Sequence, residues 1–171
     1  MEKAMASEKT ALVAVVMGSD SDLNVMQGCV DQLREFGVEP AVRILSAHRT
    51  PQAAAEFAQT AEARGVKVIV AAAGMAAHLA GAMAAWTTLP VIGVPLTSAD
   101  GLAGMDALLS TVQMPPGVPV ATVAIGKAGA QNAAILAVQI LALADPSLRE
   151  KLVQFRQKQE QKVREKDAGL P

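Results

Sequence analysis

Short apolar runs alternate along the chain with longer stretches in which apolar residues return every three or four positions. Five runs rich in β-branched side chains, at residues 12–17, 42–45, 66–71, 90–94 and 118–124, predict strands. The second, read with Ala41 as Ala41-Val42-Arg43-Ile44-Leu45, predicts a buried strand. Between the first two runs, Leu23, Met26, Val30 and Leu33 mark one face of a helix over 22–36, and Gly37 suits the left-handed position that closes it. Residues 51–64 repeat the pattern, with Pro51 placed for a first helical turn and Gly65 at the end. Residues 76–86 and 128–143 predict Ala-rich helices, although their periodicity is blurred because almost every position is apolar.

Strands alternating with helices predict right-handed βαβ crossovers and a parallel sheet covered on both faces. The fold class is α/β, a single three-layer, doubly wound domain over 11–144 with about five strands. Residues 97–116 carry Gly101, Gly104 and Pro115-Pro116 and predict a loop plus a short helix, a partly mobile cover. Asp145-Pro146-Ser147 breaks the chain before a charged helix over 148–166, whose apolar stripe is only Leu148, Leu152, Phe155 and Val163. A stripe so thin suits a neighbouring subunit, so residues 145–167 are read as an oligomer arm; a solvated terminal helix fits the pattern equally. Residues 1–10 and 168–171 are read as flexible tails.

Composition narrows the class. A chain of 171 residues suits one domain, and 51% apolar against 18% charged residues excludes disorder. The apolar content is mostly Ala and Val, with 2% aromatic residues and no Tyr, which favours close helix–sheet approach and a core completed by association. A net charge of −1 argues against nucleic acid and membrane surfaces as partners, since both select basic patches. Cys29 is the single cysteine, so no internal disulfide can form. The first nine residues lack an apolar signal core, and every long apolar run is interrupted short of a membrane span. These features point to the cytoplasm.

The chemistry is expected in four turns after the first four strands, gathered at the carboxyl edge of the sheet, where open α/β folds bind ligands. In Met17-Gly18-Ser19-Asp20-Ser21-Asp22, Gly18 permits a tight turn and the serines can cap the next helix, whose N–H groups attract anions. Asp20 and Asp22 would repel a phosphate, so at least one should face elsewhere, toward sugar hydroxyls; plain helix capping also explains the segment. Ser46-Ala47-His48-Arg49-Thr50-Pro51 sets an imidazole suited to proton transfer beside a rigid guanidinium fork suited to phosphate or carboxylate. The third turn runs through Gly74, Met75, Ala76, Ala77, His78 and Leu79, small residues that let backbone approach a flat ligand. His78 reads there as a buried, hydrogen-bonded histidine in a helix, with a supporting role at most. The fourth, Gly93-Val94-Pro95-Leu96, can close a pocket wall.

Other arrangements fail. Gly126-Lys127-Ala128-Gly129 lacks the spacing and hydroxyl of a phosphate loop, and no G-x-G-x-x-G follows the first strand. Two histidines and one cysteine, never closely spaced, form no metal-ligand motif. Cys29 reads as a buried thiol.

Six motifs stand in order over residues 11–144: Met17-Gly18-Ser19-Asp20-Ser21-Asp22, Ser46-Ala47-His48-Arg49-Thr50-Pro51, Ala76-Ala77-His78-Leu79, Leu89-Pro90-Val91-Ile92-Gly93-Val94-Pro95, Val112-Gln113-Met114-Pro115, and the run from Gly117 to Ile125. In these the chain resembles the bacterial (class I) 5-(carboxyamino)imidazole ribonucleotide mutases, the phosphoribosylaminoimidazole carboxylase catalytic subunit family of de novo purine synthesis. The resemblance implies a flavodoxin-like domain, a homo-octamer, and a small-molecule nucleotide substrate. It also implies transfer of a carboxylate from the exocyclic nitrogen to carbon 4 of the imidazole through enclosed carbon dioxide, without cofactor, ATP, metal or biotin. By matching position it implies His48 as general acid and base, Ser19 and Arg49 on the anionic side of the nucleotide, and Asp22 on the ribose hydroxyls. Ser46 and the backbone of Gly74, Ala76, Ala77, His78 and Leu79 would line the pocket.

The chain departs from the family pattern at three places. Many relatives have Gly where it has Met75, Pro where it has Ala80 and often Ser where it has Ala107. The first change should narrow the pocket lip and the second relax a turn. The sister subgroup that carboxylates aminoimidazole ribonucleotide directly lacks the His-Arg-Thr-Pro and Ala-Ala-His-Leu segments, which this chain retains. The rival reading is a non-catalytic flavodoxin-like module that binds a nucleotide or accepts a phosphoryl group on Asp20 or Asp22. It needs a lysine after the last strand, for which Lys127 is the candidate, and leaves His48-Arg49 unexplained.

Overall fold

Alternate residues of the first strand face opposite layers, which is the root of the architecture. The computed structural model describes residues 11–170. In β1 (Val13–Met17), Val13, Val15 and Met17 enter one core, while Ala14 and Val16 enter the other. The period of two and complete burial on both faces explain why the run is apolar without interruption. β2 (Ala41–Ile44), β3 (Val68–Gly74), β4 (Val91–Leu96) and β5 (Ala121–Thr122) join it in the order β2-β1-β3-β4-β5, every pair parallel. This is the flavodoxin-like sheet, with the chain reversing its winding beside β1 and β3.

Helices α1 (Leu23–Glu35), α5 (Gly126–Leu141) and α6 (Pro146–Ala168) cover the first face, and α2 (Pro51–Thr60) and α3 (Leu79–Ala84) the second. The predicted face of α1 is the buried one: Met26, Cys29, Val30 and Leu33 point inward, each large side chain contributing roughly 1.5–3 kcal/mol. Burial also pushes the Cys29 thiol up to about 12, so it stays protonated and inert as a nucleophile. Pro51 occupies the first turn of α2 as expected. That helix ends at Thr60, and a 3-10 turn carries the chain to Gly65 at φ 93. Residues 97–116 hold α4 (Met105–Val112) after a loop, packed where β4 has Gly93; a Cβ there would lie 2.4 Å from Thr111 Cγ2.

Three expectations need correction. The β2 segment is not wholly buried: it is the edge strand, and Val42 and Ile44 are 40% and 55% exposed. The fifth strand shrinks from 118–124 to two residues, because Pro119 has no N–H to give a ladder. Residues 93–96 are not a turn but the end of β4, with Pro95 opposite Ala73. Proline is tolerated because β5 pairs only with Ile92 and Gly93, leaving that flank of β4 open at Pro95.

The terminal helix is divided. Asp145 caps it, accepting from the Ser147 and Leu148 N–H groups, and Pro146 opens it. Leu148 is buried on the chain's own core, and Leu152 and Phe155 pack against it, with the Phe155 ring 5.3 Å from that of Phe36. Lys151 Nζ donates to the Phe36 carbonyl at 2.7 Å, closing the end of α1. Only beyond Phe155 does the helix leave the domain, and Val163 is exposed. It continues to Ala168, with Gly169 capping it. The remaining tail residues, 1–10 and Pro171, lie outside the described residues.

Candidate active site

The loops after β1, β2, β3 and β4 meet at the carboxyl edge of the sheet around a pocket of about 430 Å³, a size suited to a mononucleotide. Its wall includes Gly18, Ser19, Ser21 and Asp22 from the first loop, and Ser46, Ala47, His48 and Arg49 from the second. The third loop contributes Ala73, Gly74, Met75, Ala76, His78 and Leu79, and the fourth Thr97, Ser98 and Ala99.

In the first loop Ser19 caps a 3-10 turn over Asp20–Asp22: its Oγ accepts from the Ser21 N–H, and Asp22 Oδ2 accepts from the Ser19 N–H at 3.1 Å. The capping reading is therefore realised, and the same hydrogen bond draws the Asp22 carboxylate back toward its own loop. Asp22 is half-buried, and that desolvation pushes its carboxyl above the ordinary range. The Ser19 and Gly18 N–H groups, the Ser21 hydroxyl and the Arg49 charge pull the other way and do not offset it. A raised folded-state value means a contribution that is favourable at low pH and lost as pH rises through that value. Asp22→Asn should accordingly raise the melting temperature at pH 7, since one amide oxygen still accepts from Ser19. The gain should vanish at acidic pH, where the wild-type carboxyl is already neutral; thermal melts of both proteins from pH 3 to 8 check this.

The second loop is a closed ring of local hydrogen bonds. Ser46 N–H donates to Thr50 Oγ1 at 2.9 Å, Thr50 N–H to the Ser46 carbonyl at 3.0 Å, and Arg49 N–H to Ser46 Oγ at 3.1 Å. This tightly tied loop holds His48 and Arg49 outward, both exposed. Arg49 Nη2 donates to the Gly18 carbonyl at 2.8 Å, linking the second loop to the first.

Helix α3 starts at Leu79, later than the sequence pattern predicts, so His78 lies at its cap and is exposed, not buried. Its Nδ1 sits 2.8 Å from His48 Nε2, the rings edge to face at 83°. Met75 stands at the pocket lip, 47% exposed, with φ 53 in the left-handed region that favours glycine. Ala80 is buried in the first turn of α3, a place where proline also fits, rather than in a free turn. Ala107 is fully buried in α4.

Of the residues singled out in the sequence, Ser19, Asp22, Ser46, His48, Arg49, Gly74, Ala76, His78 and Leu79 all border this pocket. Ala77 does not: it is buried, and its carbonyl accepts from Thr111 Oγ1 at 3.5 Å. Lys127, needed by the phosphoacceptor reading, is not in the wall either. Sequence reasoning missed residues 97–99 because Pro95 reads as a break two residues too early. Among the described residues, no three His, Cys, Asp or Glu side chains converge into a metal-ligand set.

The model of the family described as AIR carboxylase matches residues 12–162, nearly the whole domain and half of α6. The chain belongs to the AIR carboxylase family. It is similar at 54% identity to the N5-carboxyaminoimidazole ribonucleotide mutase of Pyrococcus horikoshii, over 97% of this chain and 92% of that protein. It is 55% identical to the mutase of the same name from Bacillus subtilis, over 93% and 98% of the two chains. Among solved structures, the crystal structure of Treponema denticola PurE superposes with a TM-score of 0.83 at 31% identity, covering 94% of this chain and 98% of that one. The AIR carboxylase assignment thus spans the same four loops that build the pocket.

Proposed function

We propose that this protein converts 5-(carboxyamino)imidazole ribonucleotide into 4-carboxy-5-aminoimidazole ribonucleotide, a mutase step of purine biosynthesis. The observation that carries the reading is the convergence of His48, Arg49, Ser19 and Asp22 on one pocket in a chain 54–55% identical to mutases of that name. Arg49 and Ser19 take the anionic side of the nucleotide, and Asp22, drawn back from the anion, takes ribose hydroxyls. Ser46, Gly74, Ala76 and Leu79 shape the wall.

The chemistry asks for one proton that leaves and returns. The N–C bond of the carboxyamino group breaks, its electron pair stays on nitrogen, and His48 supplies the proton. Carbon dioxide is then attacked by carbon 4, and His48 removes the hydrogen from that carbon as the ring regains its aromaticity. One imidazole of near-neutral character can serve both steps. The 5′-phosphate supplies binding energy remote from the reacting atoms.

Turnover of the carboxyamino nucleotide should greatly exceed turnover of aminoimidazole ribonucleotide with bicarbonate. The reverse preference would make the protein a direct carboxylase.

The resemblance also supports a homo-octamer, and the exposed Trp86 at 52% and Leu102 at 72% suit buried contacts between copies. The free half of α6 is the arm that reaches a neighbour. Deleting residues 157–171, which leaves Leu148, Leu152 and Phe155 in place, should lower the assembly mass in light scattering; an unchanged mass would remove the arm from the assembly. A cytoplasmic location fits the lone unpaired Cys29.

A further inference from the structure

The contact between His48 and His78 does more than hold two loops together. Nε2 of one ring faces Nδ1 of the other at 2.8 Å, with the ring centroids 5.0 Å apart and edge to face, so a single proton lies between two nitrogen lone pairs. Among the described residues no carboxylate forms a hydrogen bond or ion pair with either ring. The charged groups around them are committed elsewhere: Arg49 to the Gly18 carbonyl, Asp22 to the Ser19 N–H, and Asp20 to Ser19 Oγ and the Ser21 N–H.

A carboxylate partner would only accept, and would hold His48 in its proton-bearing form. An imidazole partner accepts in one tautomer and donates in the other. The proposed reaction requires both states of the same atom: Nε2 bears the proton when the N–C bond breaks and must offer a lone pair when carbon 4 gives up its hydrogen. We propose that His78 is a positioning residue whose Nδ1 matches both states of His48 Nε2, accepting from it before decarboxylation and donating to it before deprotonation of carbon 4. The proton that leaves His48 for the substrate nitrogen is replaced by the one from carbon 4, so the pair ends with the number it began with. The inference rests on the mutase reading above.

The geometry makes the choice of substitution decisive. The side-chain amide of Asn sits where Nδ1 sits in His, whereas the amide of Gln sits nearer Nε2. His78→Asn therefore keeps a group at the right place that both donates and accepts; His78→Gln keeps polarity and volume but moves it; His78→Asp keeps the place but only accepts. In the full-length protein, His78→Asn should hold kcat within about tenfold of wild type, and His78→Gln should lose about 10²-fold, the scale of a lost proton-transfer arrangement. KM should change little in either.

Two half-reactions separate the roles. His78→Asp should still release carbon dioxide from the carboxyamino nucleotide, while its exchange of the carbon 4 hydrogen of aminoimidazole ribonucleotide in D2O falls at least about tenfold below wild type. Equal losses for Asn and Gln, an effect on KM alone, or an equal fall in both half-reactions of the Asp variant would overturn the proposal. Circular dichroism and melting of each variant identify misfolding, and the Asn against Gln order remains readable among those that fold. Normal turnover in a His48 variant would sink the mutase reading itself; an inactive His48 variant beside a fully active His78→Gln would sink only the part given to His78.

Discussion

His48→Asn is expected to lose turnover by at least about 10²-fold while still binding aminoimidazole ribonucleotide. The asparagine amide does not reach the place of Nε2 and carries no exchangeable proton of suitable acidity, so neither half of the carboxylate transfer has its acid or base. Binding should survive because the loop does not depend on the ring. Ser46, Arg49 and Thr50 close it through backbone and hydroxyl hydrogen bonds, and Arg49 keeps its bond to Gly18. Steady-state kinetics with the carboxyamino nucleotide, set beside calorimetric titration with aminoimidazole ribonucleotide, make the test. Near-normal turnover would dismiss His48 as the proton carrier and revive the nucleotide-binding module.

Gly129→Ala is expected to cost at least about 3 kcal/mol, through overpacking against a partner that cannot yield. Gly129 lies buried in the first turns of α5, and a Cβ built there would lie 1.6 Å from the Ala124 carbonyl oxygen and 2.6 Å from its carbon. The obstacle is backbone, in the connection that brings the chain out of β5. Relief means lifting the helix off the core that Ala130, Ala133, Ala134 and Ala137 fill. For a domain of this size the loss corresponds to a fall in melting temperature of roughly 6–12 °C. Gly28→Ala provides the contrast. That glycine lies inside α1, and its added methyl would meet only Gln131 Cγ at an ordinary 3.8 Å. There the substitution should stabilise by roughly 0.5–1 kcal/mol, the usual cost of a helical glycine. Melts of the two variants should move in opposite directions.

Much of this arrangement was legible in the sequence because local and global demands coincide. The i, i+3, i+4 face of Leu23–Glu35, the continuous burial of β1, the short helix within 97–116 and the pairing of Pro51 with a helix start all follow from patterns with one structural solution. The errors fall where neighbours decide. Val42 and Ile44 look like core until their strand proves to be the edge, and strand order is not written in any single run. Pro95 reads as a terminator because its tolerance depends on how far β5 extends alongside. The stripe of α6 was taken as one surface, yet its first three residues serve the chain's own core, a division visible only once Phe36 and Phe155 are placed together. In the site, residue type identified the acid–base and anion-binding groups. It could not show that His78 faces His48, since their rings come from loops 30 positions apart.

Met75 shows how the lip of such a pocket can vary. Its left-handed backbone costs a non-glycine residue about 1 kcal/mol. A glycine there would be relieved of that cost but would lose more chain entropy on folding, by roughly 0.5–1 kcal/mol. The two terms nearly balance, so exchange between Gly and Met at this site is close to neutral for stability. Selection at the rim can then act on ligand entry alone, and sequence drift there carries information about substrate access rather than about the fold.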